Sequence, residues 1–244
     1  MQVETLALRL RPRTLYEASD LGTRLCQRAA RSVYRCHLAV TVPLAALALA
    51  SFEIRPWLPT LVLWWAKPWL DRTVLFVLSR AAFGRTANLT DLWRAQRQVW
   101  WSQLLLTWTW RRLSPWRSFT QPVYQLEGLH LRQYRKRVLQ VRARTSWSAA
   151  LMTSAFSGAE LALSISLLSL LFWFQPGVQQ VQLSSVLTGD EGTFFALASS
   201  AAYALVIAFL EPFYVAAGFG MYLQRRAELE AWDIEQEFRR AFGG

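Results

Sequence analysis

Residues 193–223 read TFFALASSAAYALVIAFLEPFYVAAGFGMYL, an apolar run whose single acidic or basic side chain is Glu211. A run this long exceeds the roughly 20 apolar residues that a membrane crossing needs, and it decides the fold class. A carboxylate at bilayer depth costs a few kcal/mol or more, so Glu211 is expected to face other helices or a wet cavity. Pro212 has no backbone N–H and leaves the carbonyl of Ala208 without its usual partner, so the helix is expected to break at Glu211.

Two further runs support a membrane assignment. Ser146–Phe174 contains one acidic or basic residue, Glu160, and Val40–Phe52 is the middle of a first span reaching roughly from Arg35 to Ile54. Many of the 13 tryptophans sit where apolar runs meet charges, as an interfacial aromatic belt would. The first run follows a polar, arginine-dotted segment and lacks a cleavage site at signal-peptide spacing, so it is expected to remain as an anchor.

The segment 57–84 is harder to assign. Its apolar pieces, Leu58–Ala66 and Thr73–Leu78, are each too short to cross, and Lys67, Asp71 and Arg72 lie between them. One broken helix with its charges turned inward is expected, because it returns the chain to the arginine-rich side; a re-entrant piece is the alternative. A tight bend at Glu53–Trp57 precedes it.

The net charge of +11 comes almost wholly from arginine, with Lys67 and Lys136 the only lysines. Such a balance can signal nucleic acid. Here the charges flank apolar spans, which is the pattern that orients membrane helices and attracts anionic headgroups. Membrane lipids are therefore the expected partner and nucleic acid is not. Cys26 and Cys36 lie in an arginine-rich stretch placed in the cytoplasm and are expected to be reduced.

The expected architecture is an all-α, polytopic membrane protein with about four crossings plus interfacial amphipathic helices. Residues 1–35 hold a cytoplasmic or interfacial helix, 36–84 the first two crossings, and 85–144 a basic cytoplasmic segment. Residues 145–224 hold the last two crossings, and 225–244 form a cytoplasmic amphipathic tail carrying Asp233 and Glu237. Over 14–35, Thr14 and Glu17 make a capping box, and Leu21, Leu25, Ala29 and Val33 form a stripe beside Arg24, Arg28, Arg31 and Arg35. Val99–Trp110 is expected as an interfacial helix. Asn88-Leu89-Thr90 matches a glycosylation sequon, yet Thr90 or Asp91 as a helix cap is the better assignment on the cytoplasmic side. Gln175–Gly192 lacks Lys and Arg and is expected as the outward loop, so both termini are expected on the cytoplasmic side.

Polar residues within the spans define a candidate site. Thr153, Ser157, Glu160 and Ser164 share one helix face, as do Ser200, Ile207, Glu211, Tyr214 and Gly218 on the last span, with Tyr203 nearby. Glu160 and Glu211 are expected to face each other or a common cavity, with Lys67, Asp71, Arg72 and Arg80 as candidate companions. Either they hold a proton, cation or lipid amine, or they fix helix register. From Arg111 to Arg144 there are nine basic residues against one acid, Glu127. Of these, Arg111, Arg112, Arg132, Arg135, Lys136 and Arg137 are the candidate surface for anionic lipid or a partner. Isolated His37 and His130 offer no metal shell, and there is no nucleophile elbow, P-loop or dinucleotide fingerprint. No cofactor is expected, and the chain is taken as non-enzymatic.

The segments 64–72 (WWAKPWLDR), 78–84 (LSRAAFG), 211–219 (EPFYVAAGF) and the tail from Arg225-Arg226 to Ala231-Trp232-Asp233-Ile234-Glu235 together resemble an uncharacterised family of proteobacterial polytopic inner-membrane proteins. Family members tend to be encoded beside a membrane-anchored protein, near transglutaminase-like or ATPase genes. The tail is the most specific part, and the chain is also distantly similar to the membrane domain of some glycerophosphodiesterases, without their catalytic part. The resemblance implies an inner-membrane location and a membrane-anchored partner. With the non-enzymatic reading, it implies a scaffold or accessory subunit of a membrane complex; the alternative is a small transporter or lipid-handling protein using Glu160 and Glu211.

Overall fold

The structure, a computed structural model, describes residues 14–109, 111–143, 145–174 and 191–230. The acidic tail positions Asp233 and Glu237 and most of the outward loop lie outside the described residues. Among the described residues the chain is helical, without a β-strand: α1 Leu15–Arg28, α2 Ala30–Ala50, α3 Leu58–Ala81, α4 Leu89–Arg94, α5 Leu104–Trp108, α6 Arg117–Gln125, α7 Leu131–Arg142, α8 Ser146–Phe174 and α9 Glu191–Glu230. Three helices are long and apolar enough to cross a membrane, over Ala30–Glu53, Ser146–Leu170 and Thr193–Glu230.

Within residues 57–84, Leu58–Ala81 form one continuous helix, α3, that runs through Pro68. Pro56 and Pro59 flank its start, where a missing N–H costs little. Thr60, Lys67 and Asp71 recur at helical spacing on the face turned toward α9. Lys67, Asp71 and Arg72 are all buried, so the charges do turn inward. The bend at 53–57 separates it from α2, after a short 3-10 turn over Ser51–Glu53.

α9 is the axis of the fold, with α1, α2, α3, α6 and α8 all packed against it. The expected break at Glu211 is absent: at 40 residues, α9 continues through Pro212. The Tyr34 hydroxyl donates to the carbonyl of Phe209, next to the one that Pro212 leaves free, at 2.8 Å.

Residues 14–35 are not one surface helix. Thr14 does cap α1, its hydroxyl accepting from the Glu17 N–H at 3.3 Å, but the helix ends at Arg28 and α2 starts at Ala30. The apolar stripe of α1 lies along α9. The two run antiparallel, with Ala18 and Gly22 set against Ala216 and Gly220, a small-xxx-small pairing that lets backbones touch. A Cβ at Gly220 would fall 2.2 Å from the Ala18 carbonyl oxygen. Cys26, between them, is a free thiol whose pKa burial pushes up to about 12, and Cys36 is also free and buried. An amphipathic pattern cannot distinguish lipid from a partner helix, and here the Ala18 and Gly22 face is taken by α9.

Residues 99–109 also differ from the expected interfacial helix. A π-helical turn over Arg97–Trp101 meets Gln103 at φ 52°, and only Leu104–Trp108 is helical beyond it. Trp100 is drawn inward instead, its ring against Trp69 and its indole N–H donating to the Thr73 hydroxyl at 3.0 Å. At α4 the cap is Asn88 rather than Thr90 or Asp91. The Asp91 carboxylate accepts from the Asn88 N–H at 3.1 Å, the reciprocal half of a capping box.

Gly220→Ala is expected to lower the apparent unfolding temperature in detergent, read by tryptophan fluorescence, because overpacking a close contact costs roughly 1–3 kcal/mol. Gly158→Ala, at a site with no atom within 4 Å of the added Cβ, is the matched control and leaves that temperature unchanged or higher.

Candidate functional site

The acids and bases buried in the spans converge between α3, α6, α8 and α9. Lys67 Nζ lies 2.6 Å from Glu160 Oε2 and 3.0 Å from Glu211 Oε2, joining the two glutamates through one ammonium. On the far side of Glu211, Arg117 Nη2 is 2.8 Å from Oε1, and its Nε is 3.0 Å from Asp71 Oδ2. The chain Glu160–Lys67–Glu211–Arg117–Asp71 therefore alternates in sign through four helices. Asp71, fully buried, pairs with Arg117 and adjoins the Glu211 carboxylate.

Arg117 was not among the residues singled out from sequence. It opens α6, whose remaining eight residues are uncharged and buried. Gly218 of α9 gives α6 its place, because any side chain there would meet Ser118. Tyr214 is at the same joint: its hydroxyl accepts from the Ser118 N–H and lies 3.4 Å from the Thr153 hydroxyl, and its ring carries the Arg117 guanidinium. Burial opposes the charge on Arg117, but Asp71, Tyr214 and Glu211 outweigh it, and its pKa lies above the ordinary arginine value. One signal could have exposed it: Asp71, Glu160 and Glu211 are three acids, and Lys67 alone cannot neutralise them.

Arg72 and Arg80 do not join this cluster. Arg72, one residue around the helix from Asp71, turns away to the Tyr124 ring, and its carbonyl accepts from Gln125 at 2.7 Å. Arg80 pairs with Asp91 at 3.5 Å and covers Phe76.

The candidate basic surface is divided. Arg111 is buried between the rings of Tyr124 and Tyr134. Arg112 is buried over Trp64 and donates to the Trp65 carbonyl at 2.8 Å. Arg137 is held by Glu127 and Glu230, with the Tyr222 hydroxyl also on Glu127. Only Arg132, Arg135 and Lys136 are exposed. Guanidinium planes stack on aromatic faces, so a run of arginines among tryptophans and tyrosines can be internal.

Beside the ion-paired chain lies a cavity of about 490 Å³. Lys67, Arg112, Arg117, Glu160 and Glu211 line it, with eight hydroxyls including Thr153, Ser157, Ser164, Tyr203 and Tyr214. Thr153, Ser157, Glu160 and Ser164, the stripe on α8, thus share one wall. Trp64, Phe156, Leu161 and Leu168 supply its apolar part, and Trp64 and Leu161 are exposed outside. Among the described residues no three His, Cys, Asp or Glu side chains are arranged to hold a metal ion. No protein-family model, curated protein or solved structure matches the chain.

Removing Arg117 strands Asp71 and Glu211 beside each other, and breaking a buried pair costs roughly 3–5 kcal/mol. Arg117→Met is expected to lower the apparent unfolding temperature sharply, and adding Asp71→Asn to recover part of the loss. Glu211→Gln, which keeps an acceptor for both cations, is expected to be milder than Glu211→Leu. Thermal unfolding of these four variants and of Asp71→Asn alone in one detergent checks all of this; additive losses for Arg117 and Asp71 rule out the coupling.

Proposed function

We propose that this is a four-crossing, non-enzymatic membrane protein whose crevice holds the polar group of a membrane amphiphile. The observation carrying this is a half-open cavity at an unevenly matched ion network. Lys67 and Arg117 are each shared by two carboxylates, whereas Arg112 has no carboxylate partner among the described residues. Glu160 is the most exposed acid of the group, its side chain 19% accessible. An unmatched cation and a reachable acid among hydroxyls suit a zwitterionic headgroup, the phosphate toward Arg112 and the amine toward Glu160. The exposed Trp64 and Leu161 give an acyl chain a route out between α3 and α8.

α3 is the fourth crossing in this proposal. At 24 residues it is about 36 Å long, enough for the roughly 30 Å hydrocarbon layer, and its charges are matched inside the bundle. Both termini then lie on the arginine-rich, cytoplasmic side of a bacterial inner membrane.

The second reading, a scaffold or accessory subunit, is favoured by α8. Only 6% of its membrane window is buried within the chain, so one whole helix is open to a membrane-anchored partner.

Two measurements check the proposal. Reporter fusions after Leu183 and at Gly244 are expected to read periplasmic and cytoplasmic; a cytoplasmic signal at the first sinks the four crossings. Short-chain phosphatidylcholine is expected to quench or shift tryptophan fluorescence of the purified protein, and Glu160→Gln to weaken binding about tenfold, or ~1.4 kcal/mol, with a smaller loss of thermal stability than Arg117→Met. No lipid binding, together with a protein that co-purifies in stoichiometric amount, favours the scaffold instead.

A further inference from the structure

A second cavity, of about 760 Å³, lies where α1 gives way to α2 and where the 82–88 loop leaves α3. Five arginines line it: Arg24 and Arg28 from α1, Arg31 and Arg35 from α2, and Arg85 from the loop. No acidic side chain lines it. All five are exposed, and none forms an ion pair or hydrogen bond through its side chain among the described residues. The rest of the lining is mainly apolar, with Leu21, Leu25 and Leu89 prominent.

The two walls are fixed to each other, so the arginines do not converge by chance of loop position. The Ser32 hydroxyl donates to the Ala87 carbonyl, and the buried Cys36 thiol lies 4.0 Å from the same oxygen. The loop turns at Gly84, φ 70°, a conformation that favours glycine, and the Arg85 N–H donates to the Arg80 carbonyl at 3.0 Å. The break at Ala29 brings two i, i+4 arginine pairs from different helices to one mouth.

We propose that this cavity binds an anionic phospholipid from the cytoplasmic leaflet, its phosphate among Arg31, Arg35 and Arg85 and its first methylenes on Leu21, Leu25 and Leu89. Charge complementarity selects an anion, because five guanidiniums face no carboxylate. The apolar floor selects a lipid over a free phosphate or an acidic peptide, neither of which has a tail to bury there. The site lies at the ends of α2 and α3 that carry the arginines, where the leaflet surface is expected. It is separate from the crevice at Glu211 and differs in ligand: the crevice takes a zwitterion, this cavity a net negative headgroup.

The test is calorimetric titration of the full-length, delipidated protein in neutral detergent with dioctanoyl phosphatidylglycerol, dioctanoyl phosphatidylcholine, inorganic phosphate and an acidic peptide. Wild type is expected to bind phosphatidylglycerol at least about tenfold more tightly than phosphate or the peptide. The triple variant Arg31→Gln/Arg35→Gln/Arg85→Gln is expected to lose that binding, while its phosphatidylcholine binding stays. A triple with the same charge change on α7, Arg132→Gln/Arg135→Gln/Lys136→Gln, is expected to retain it. Thr86→Asp, which places an acid at the cavity mouth, gives the same loss if the arginine triple does not fold. Equal losses in both triples show general surface charge and overturn the proposal. Phosphate or peptide binding as tight as phosphatidylglycerol overturns the lipid assignment.

Discussion

The fold depends on neutralising three carboxylates that sit inside an otherwise apolar bundle. Asp71, Glu160 and Glu211 come from three helices, and none could be buried alone without several kcal/mol of lost hydration. Lys67 and Arg117 each serve two of them, so α3, α6, α8 and α9 cannot separate without exposing an unmatched charge in a medium that solvates it badly. In lipid, burying apolar side chains against one another gives no hydrophobic gain, and such polar links take a larger share in fixing which helices are neighbours. Close backbone contact supplies the rest, at Gly22 and Gly220 between α1 and α9 and at Gly218 against Ser118.

Much of this was legible in the sequence wherever composition alone carries the signal. The apolar runs around residues 30–53, 146–170 and 193–230 form helices long and apolar enough to cross a membrane. The cost of a carboxylate in lipid was enough to expect Glu160 and Glu211 inward, and the structure puts one lysine between them. The charges of Lys67 and Asp71 were ambiguous between a re-entrant loop and a helix; in the structure α3 is continuous because their partners exist on α6, α8 and α9.

The parts that were not legible depend on partners far along the chain. Arg117 was lost in a run of basic residues that looked like a solvated face, and nothing local separates it from Arg132 or Arg135. Arg111 and Arg112 were obscured for the same reason, although tyrosines and tryptophans nearby supply the faces on which they stack. The helix over residues 15–28 was correctly amphipathic, but its docking through Ala18 and Gly22 was not legible, since the small residues that seat it, Ala216 and Gly220, are almost 200 positions away. Pro212 kept its missing hydrogen bond but not the break expected of it, because α9 is clamped on several sides by α1, α2, α3 and α6.

The length of α9 has a mechanical meaning. Its 40 residues extend about 60 Å, twice the hydrocarbon thickness, so the helix that carries Glu211 also carries Glu230 about 28 Å further along. Glu230 holds Arg137 and Arg226, and Arg137 in turn holds Glu127, which places the end of α9 and the α6–α7 corner in one polar latch. A rod fixed at both places transmits displacement rather than absorbing it. The helix therefore ties the crevice at Glu211 to the latch at Glu230 through one unbroken rod.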